Sequence, residues 1–258
     1  MVIVFSIFAT LFNYDNSFAI SSNSTLTLSN NNTLLKLFEI EKGVKLAIKN
    51  IPIDVNYSIG HLKKASRLVD ANLEKELQSL EPRIFNQIQN QISDLKIIVN
   101  TTTIPQLVKG AQISEGLSHI VDLVQLLQVD KIENETTMVE TLPYFFSSLN
   151  KDILNSYNNS KIWLKNQTII QTNNNTQDVN QSNTINSSDY AKTLEYQTAQ
   201  DYSAGILDFI DNLNYLKPDA FTNYNITKLK NDYSLLNQLI NNKSDINEIK
   251  NFSFQILN

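Results

Sequence analysis

The chain of 258 residues contains no cysteine, and only five glycines and five prolines. The lack of cysteine excludes disulfides, thiol nucleophiles and thiolate metal ligands. A fold with many strands needs glycine or proline at its frequent turns, and this chain has too few of either to supply them. The scarcity of these residues therefore favours a helical protein.

Arginine is also scarce, because only two of the 21 basic residues are arginine and the rest are lysine. Arginine clamps phosphate groups with two parallel hydrogen bonds, whereas lysine offers a single compact charge. The formal net charge is −5, and the densest basic stretch consists of Lys63, Lys64 and Arg67. Since nucleic-acid-binding proteins usually carry a basic patch, we expect no nucleic-acid partner.

The common catalytic and cofactor motifs are missing as well. The sequence has no Glu-x-x-His, His-Glu-x-x-His, EF-hand loop, P-loop, Gly-x-Gly-x-x-Gly or Gly-x-Ser-x-Gly. We therefore expect no cofactor, and a ferritin-like bundle with a di-metal site lacks its ligands. One enzymatic alternative stays open, a hydrolase whose acid and base are carboxylates brought together by folding. Its candidates are Glu74, Glu76, Glu81 and Asp208.

Apolar side chains recur at spacings of three and four along most of the chain, which is the pattern of amphipathic helices. The first stripe runs from Leu34 to Ile51, and a seam from Ile59 to Leu80 predicts one continuous second helix. Pro82 suits the first turn of a third helix, and a seventh is predicted over Phe221–Ile240. We predict an all-α, up-and-down helical bundle with coiled-coil-like seams.

An asparagine-rich tract divides these helices. Residues 173–188 read NNNTQDVNQSNTINSS, and this stretch has too little apolar surface to offset the cost of ordering it. We predict a disordered linker over 169–188 that joins a first helical part at 33–168 to a second at 189–258. Whether the two parts pack into one bundle stays open, because a linker of this length permits either arrangement.

The N-terminus resembles a secretory signal. MVIVFSIFATLF is apolar, and Ser17-Phe18-Ala19 has the small residues of a cleavage site, so residues 1–19 are a predicted signal peptide. A basic first region is lacking, since the first lysine is Lys36, and an ordinary buried N-terminal helix is the alternative. An uncleaved segment would anchor the chain at the membrane, although it is shorter than the roughly 20 residues that a span needs.

Thirteen Asn-x-Ser/Thr sequons support export. A sequon permits N-glycosylation in an exported chain without proving it. Asn174, Asn180 and Asn186 lie in the predicted linker and are the glycosylation candidates. We therefore expect a secreted or extracytoplasmic glycoprotein with no membrane span after signal cleavage.

The chain has two histidines, of which His61 is predicted to lie outside the apolar seam of its helix. Glu115, His119 and Asp122 follow one another at helical spacing and share one face, so together they are a candidate metal site. The alternative is a solvated surface patch, because exposed ion pairs are weak. Six of the ten tyrosines lie between Tyr190 and Tyr233, where they line either a ligand groove or a bundle core.

Two parts of the chain resemble helical segments of exported domains associated with high-affinity iron permeases. They read YSIGHLKKA at 57–65 followed by LEP at 80–82, and EYQTAQDY at 195–202. The permease's own Arg-Glu-x-x-Glu iron motif and its membrane spans are absent from this sequence. The resemblance therefore implies an accessory, extracytoplasmic role and not iron transport itself.

These observations give one leading hypothesis and two alternatives. The leading hypothesis is an exported, non-enzymatic helical module that binds a protein partner at the cell surface or membrane, accessory to the uptake of a cation such as iron. The alternatives are the carboxylate hydrolase described above and a structural component of the cell envelope.

Overall fold

The computed structural model describes residues 33–101, 103, 105–134, 138–173 and 187–256. Within these ranges the chain forms nine α-helices, one short 3-10 helix and no strand, which confirms the all-α prediction. The described residues fall into two compact units that divide between Thr141 and Leu142.

The first unit contains five helices. In chain order they are α1 (Thr33–Asn50), α2 (Val55–Leu68), α3 (Ala71–Leu80), α4 (Pro82–Asn100) and α5 (Gln106–Asn134). Helix α5 packs against α1, α3 and α4, and α2 packs against α1. Their apolar faces meet in one core, with Leu62, Leu95, Leu117 and Leu127 among its most buried members. As predicted, Pro82 is the first residue of a helix.

The prediction of one helix from Ile59 to Leu80 is wrong, because the chain breaks at Val69 and Asp70. The Asp70 side chain accepts a hydrogen bond from the Leu73 amide at 2.8 Å and so caps the start of α3. A carboxylate in this position satisfies one of the amides that a helix leaves unpaired at its first turn. Leucines at spacings of three and four thus continue across a change of helix.

The placement of His61 outside the buried seam is also wrong, because this side chain is only 1% exposed. The predicted seam averaged residues from α2 and α3, and these two helices have different axes. Small residues let α1 approach α2 closely, since a Cβ at Gly43 would lie 3.1 Å from the Ala65 Cβ and 3.5 Å from the His61 carbonyl. This close approach widens the buried face of α2.

The α4–α5 contact also depends on a glycine. A Cβ at Gly116 of α5 would lie 2.5 Å from a methyl carbon of Leu95, and Leu95 is itself buried. A Cβ at Gly110, six residues earlier in the same helix, would meet nothing within 4 Å. Of these two glycines, only Gly116 is therefore required by packing.

The second unit contains α6 (Met138–Asn173) from Leu142 onward, α7 (Ser187–Leu216), a 3-10 helix (Pro218–Phe221), α8 (Ile226–Asn241) and α9 (Ile246–Ile256). The prediction of one helix over Phe221–Ile240 is wrong at its start. Asn225 has an extended backbone and its side chain accepts from the Lys228 amide at 3.0 Å, so α8 begins only at Ile226.

The core of this unit is rich in aromatic rings. Phe145 of α6 stacks on Phe209 of α7 with 4.5 Å between ring centroids, and Phe146 of α6 lies 5.9 Å from Tyr233 of α8. Ring pairs at such distances add to the stabilisation that burial alone provides. These contacts join α6, α7 and α8 around one apolar interior.

The boundary between the units does not coincide with the predicted linker at 169–188. Most of α6 belongs to the second unit, and this helix continues to Asn173. Residues 174–186 and the predicted signal at 1–19 lie outside the described ranges, so the linker and the signal stay predictions. None of the described helices has the length and apolar character needed to cross a membrane.

Candidate functional site

A buried carboxylate lies at the α1–α5 contact of the first unit. The Glu41 side chain is 5% exposed, and its Oε1 lies 2.6 Å from the Lys45 Nζ and 3.4 Å from the Lys42 Nζ. From α5, the Gln125 amide donates to the same oxygen and the Gln128 amide donates to Oε2, each at 3.0 Å. We call these five residues the Glu41 cluster.

The charges of the cluster support one another. Burial by itself would raise the pKa of Glu41, but the ammonium groups of Lys42 and Lys45 and the hydrogen bond from Gln128 outweigh it, so the pKa lies below its ordinary value of 4.5. The Lys42 ammonium also lies 5.3 Å from the centroid of the Phe38 ring, where the ring's negative face attracts it. Glu41 is therefore ionised at neutral pH.

The geometry of the Glu41 cluster suits a structural role. Both carboxylate oxygens already accept hydrogen bonds, and the side chain is too buried to reach a substrate. A general base needs an accessible oxygen within hydrogen-bonding distance of the proton that it removes. The cluster instead fixes the register of α1 against α5, because a buried charge is stable only while all of its partners are in place.

A second set of charges ties α3 to its neighbours. Glu76 of α3 accepts from the Thr33 hydroxyl at the start of α1 and, at 3.0 Å, from Lys131 near the end of α5. Lys36 donates to Asp70 at 2.7 Å. Burial would raise the pKa of Asp70, but the hydrogen bonds from Lys36 and from the Leu73 amide lower it.

The carboxylates of the hydrolase alternative have different surroundings. Glu76 is engaged as described, whereas Glu74 is exposed on the same helix and Glu81 lies in the bend before α4. Asp208 is exposed on α7 and belongs to the second unit. Within the first unit, the described contacts bring none of the three glutamates together as an acid–base pair.

The three residues of the candidate metal site all lie exposed on α5. The His119 Nδ1 lies within hydrogen-bonding distance, 3.0 Å, of the side-chain oxygen of Gln91 on α4. In the part of the chain that the structure describes, no three His, Asp or Glu side chains are arranged to hold a metal ion. Metal binding by Glu115, His119 and Asp122 stays a prediction, which a binding measurement must test.

Exposed apolar side chains flank these three residues on the same face of α5. Val108 and Leu126 are 44% and 51% exposed, and their spacing from Glu115, His119 and Asp122 puts all five on one stripe. At 1.5 Å per residue, the stripe is about 27 Å long. We call these five residues the outer stripe of α5.

The end of the α4–α5 hairpin adds further apolar surface. Leu107, next to the start of the stripe, is 88% exposed, and Ile97 near the end of α4 is 64% exposed. The two helix ends are held together, because Lys109 of α5 donates to the Thr101 carbonyl at 2.6 Å. Large apolar side chains exposed at the end of a hairpin are candidates for a protein–protein contact.

In the second unit, four of the tyrosines serve the core. Tyr196, Tyr202 and Tyr233 are at most 9% exposed, which favours the core interpretation over a ligand groove for these three. Tyr157 donates to the Ser244 carbonyl at 2.6 Å and Tyr196 donates to the Ile240 carbonyl at 3.0 Å. Both bonds hold the turn between α8 and α9. Burial, with the nearby acidic groups, raises the pKa of Tyr157 to about 12.

That turn has an unusual residue at its centre. The Lys243 and Ser244 amides donate to the Ile240 and Leu239 carbonyls, each at 3.0 Å, which is the hydrogen-bond pattern of a Schellman motif. Lys243 has a φ of 57°, a left-handed conformation that favours glycine. The two tyrosine hydrogen bonds stabilise a turn that the local sequence does not favour.

The predicted glycosylation sites Asn174, Asn180 and Asn186 lie outside the described residues. Comparisons of the chain with protein-family models, curated proteins and solved structures find no match. No relative therefore links the chain to domains associated with iron permeases.

Proposed function

We propose that the chain is an exported, non-enzymatic helical module that binds a protein partner at the cell surface or membrane. The observation that carries this proposal is the outer stripe of α5. Its apolar ends are exposed, while the inner face of the same helix fills the core of the unit. The engagement of Glu41 and Glu76 in structural hydrogen bonds also favours a binding role over carboxylate catalysis.

The charge pattern of the stripe specifies the chemistry of the partner. Two carboxylates, Glu115 and Asp122, lie between the apolar residues Val108 and Leu126. A matching surface has basic side chains at its centre and apolar side chains at its two ends. An amphipathic helix of about 18 residues spans that length, and complementary charge would set its register.

One pair of variants tests this surface. Leu126 and Leu235 are exposed to similar extents, at 51% and 43%, but Leu235 lies on α8 in the second unit. We expect Leu126→Glu to lower the amount of partner that the purified chain retains from solubilised host membranes about tenfold, and Leu235→Glu to leave it unchanged. If both substitutions lowered the amount of retained partner to a similar extent, or if neither lowered it, the proposed surface would be contradicted.

Export is tested separately, by mass spectrometry of the protein from its native host. The proposal expects a mature chain that begins at Ile20, or an uncleaved chain found at the membrane. A full-length product in the cytosol would refute export, whatever the binding experiment shows.

The link to cation uptake rests on the resemblance to permease-associated domains and on the Glu115, His119 and Asp122 side chains. Calorimetry with ferrous, cupric, zinc and calcium ions tests it, with His119→Ala as the control. An exposed set of ligands on one helix should hold a cation weakly, so we expect no heat at micromolar protein concentration. Micromolar binding that the substitution abolishes would assign a metal site to the stripe.

A further inference from the structure

We propose that Asn225 accepts an N-linked glycan in the folded protein, an inference that rests on the proposed export of the chain. Six sequons have an asparagine whose side-chain environment the structure describes, and all six asparagines are exposed. They are Asn56, Asn134, Asn158, Asn225, Asn242 and Asn251. Exposure alone does not distinguish them, so the choice depends on backbone shape and on the hydroxyl residue of each sequon.

Three of the six lie within helices and have a buried hydroxyl residue. These are Asn56, Asn158 and Asn251, and the serine two residues after each is at most 2% exposed. A transferase must reach the asparagine and the hydroxyl together, which is why used sequons are found in surface loops. In the folded chain these three sequons are therefore poor acceptors.

Two others are held in compact geometry. The Asn134 amide nitrogen, which would carry the sugar, already donates to the Asp130 carbonyl at 2.8 Å. Asn242 caps the end of α8 and is followed at once by the left-handed Lys243, so its sequon is folded into the Schellman turn. Modification of either sequon would require local unfolding.

Asn225 has the geometry that the others lack. Its backbone is extended, with φ −83° and ψ 98°, and both its own side chain and that of Thr227 are exposed. The Lys228 amide can only donate, so the atom 3.0 Å from it must be the Asn225 Oδ1. The cap therefore holds the side chain by its oxygen, and the Nδ2 group takes no part in the capping hydrogen bond.

The chemistry of transfer is compatible with this cap. Nδ2 attacks the anomeric carbon of a polyprenyl-phosphate-linked oligosaccharide, a C–N bond forms, and the C–O bond to the phosphate breaks. The lipid phosphate leaves with the bonding electrons, and Nδ2 gives up one proton to a base of the transferase. Oδ1 remains an acceptor throughout, so we expect α8 to keep its cap after modification.

The test uses the purified full chain, a purified single-subunit oligosaccharyltransferase and its lipid-linked oligosaccharide. Mass spectrometry of proteolytic peptides should show occupancy at Asn225 at least tenfold above that at Asn158 and Asn251. Synthetic peptides spanning Asn225 and Asn158 serve as unfolded controls and should be modified at similar rates. Equal occupancy of these sites in the folded chain, or an unmodified Asn225, would overturn the proposal.

A matched variant separates acceptor chemistry from folding. Thr227→Ala removes the hydroxyl of the sequon but leaves the Asn225 cap, so it should abolish modification with little change in stability, and Thr227→Ser should restore modification. The same peptide is then analysed in protein recovered from outside the native host's cells. An exported chain with an unmodified Asn225 would overturn the proposal that Asn225 carries a glycan. A chain found only in the cytosol would instead overturn the proposed export. In that case the reaction with purified components would decide whether Asn225 is an acceptor.

Discussion

Replacement of Glu41 tests how the first unit is held together. Glu41→Gln keeps the shape of the side chain but removes the charge that faces Lys42 and Lys45. The Lys42 side chain is only 7% exposed, so its ammonium would stay buried without its counter-charge. Gln128, which is 8% exposed, would face an amide in place of a carboxylate.

The magnitude follows from this geometry. Breaking a buried ion pair by removing one partner costs about 3–5 kcal/mol. Lys45 is 41% exposed and can turn to water, and the Phe38 ring still attracts Lys42, so the lower end of the range applies. We expect Glu41→Gln to lower the free energy of unfolding of the first unit by about 3 kcal/mol at pH 7.

The assay is hydrogen exchange of the α5 amides, which reports the opening of the first unit specifically. The loss should appear as a fall of more than about 100-fold in protection, since 1.4 kcal/mol corresponds to a factor of ten. Glu115→Gln, an exposed substitution on α5, is the control and should change the stability by less than about 0.5 kcal/mol.

The pH dependence of the difference tests the charge itself. Because the pKa of Glu41 is lowered in the folded chain, its contribution is present above the ordinary value of 4.5 and is lost as the pH falls through the folded value. The gap between wild type and Glu41→Gln should therefore be full at pH 6–7 and shrink below about pH 4. A gap under about 1 kcal/mol at pH 7, or one that stays constant down to pH 3, would refute the reasoning.

Three further predictions concern packing and turns. Gly116→Ala should destabilise the first unit by about 2 kcal/mol through overpacking, whereas Gly110→Ala should stabilise it by up to about 1 kcal/mol. Urea unfolding measures both changes, and equal effects of the two substitutions would contradict the close approach of α4 and α5. Since the pKa of Tyr157 is raised from 10.0 to about 12, wild type should lose stability as the pH rises from 10 through 12, and thermal melts of Tyr157→Phe should lack that part of the loss. Lys243→Gly should raise the unfolding free energy by about 1 kcal/mol by relieving the left-handed conformation, and a decrease in the same measurement would argue against that conformation.

The sequence predicted the helices well where the apolar spacing and the local signals agree. The stripe from Leu34 to Ile51 became α1, and Pro82 opened α4. The break at Asp70 was missed because leucines at regular spacing continue on both sides of it. The available signal was Asp70 itself, because an aspartate is a preferred residue at the start of a helix. Such a capping residue is better evidence for a helix boundary than an apolar pattern, which two successive helices can share.

The Glu41 cluster was missed for a related reason. Glu41 lies within the buried stripe of α1, four residues after Leu37 and three before Val44, and Gln128 lies four residues after Val124 on α5. A polar residue within an apolar stripe is the signal for a buried polar contact. Its two glutamine partners come from a helix more than 80 residues away, and periodicity within one helix cannot identify them.

The outer stripe was only partly foreseeable. Helical spacing predicted that Glu115, His119 and Asp122 share a face, and all three are exposed on α5. The exposure of Val108 and Leu126 on that face was not predictable, since apolar residues of α5 are assigned to the core unless packing is known. The exposure of Val108 and Leu126 depends on which side of α5 the helices α1, α3 and α4 cover.

The most direct test of the proposed function is site-specific photo-crosslinking in the native host. A photoreactive amino acid replaces Leu107, beside the outer stripe, and in a second variant it replaces Lys75, which is exposed on α3 in the same unit. The account predicts a discrete adduct with a second protein from position 107 and none from position 75. No adduct at position 107, or the same adducts from both positions, would contradict the claim that this face of the protein binds a partner.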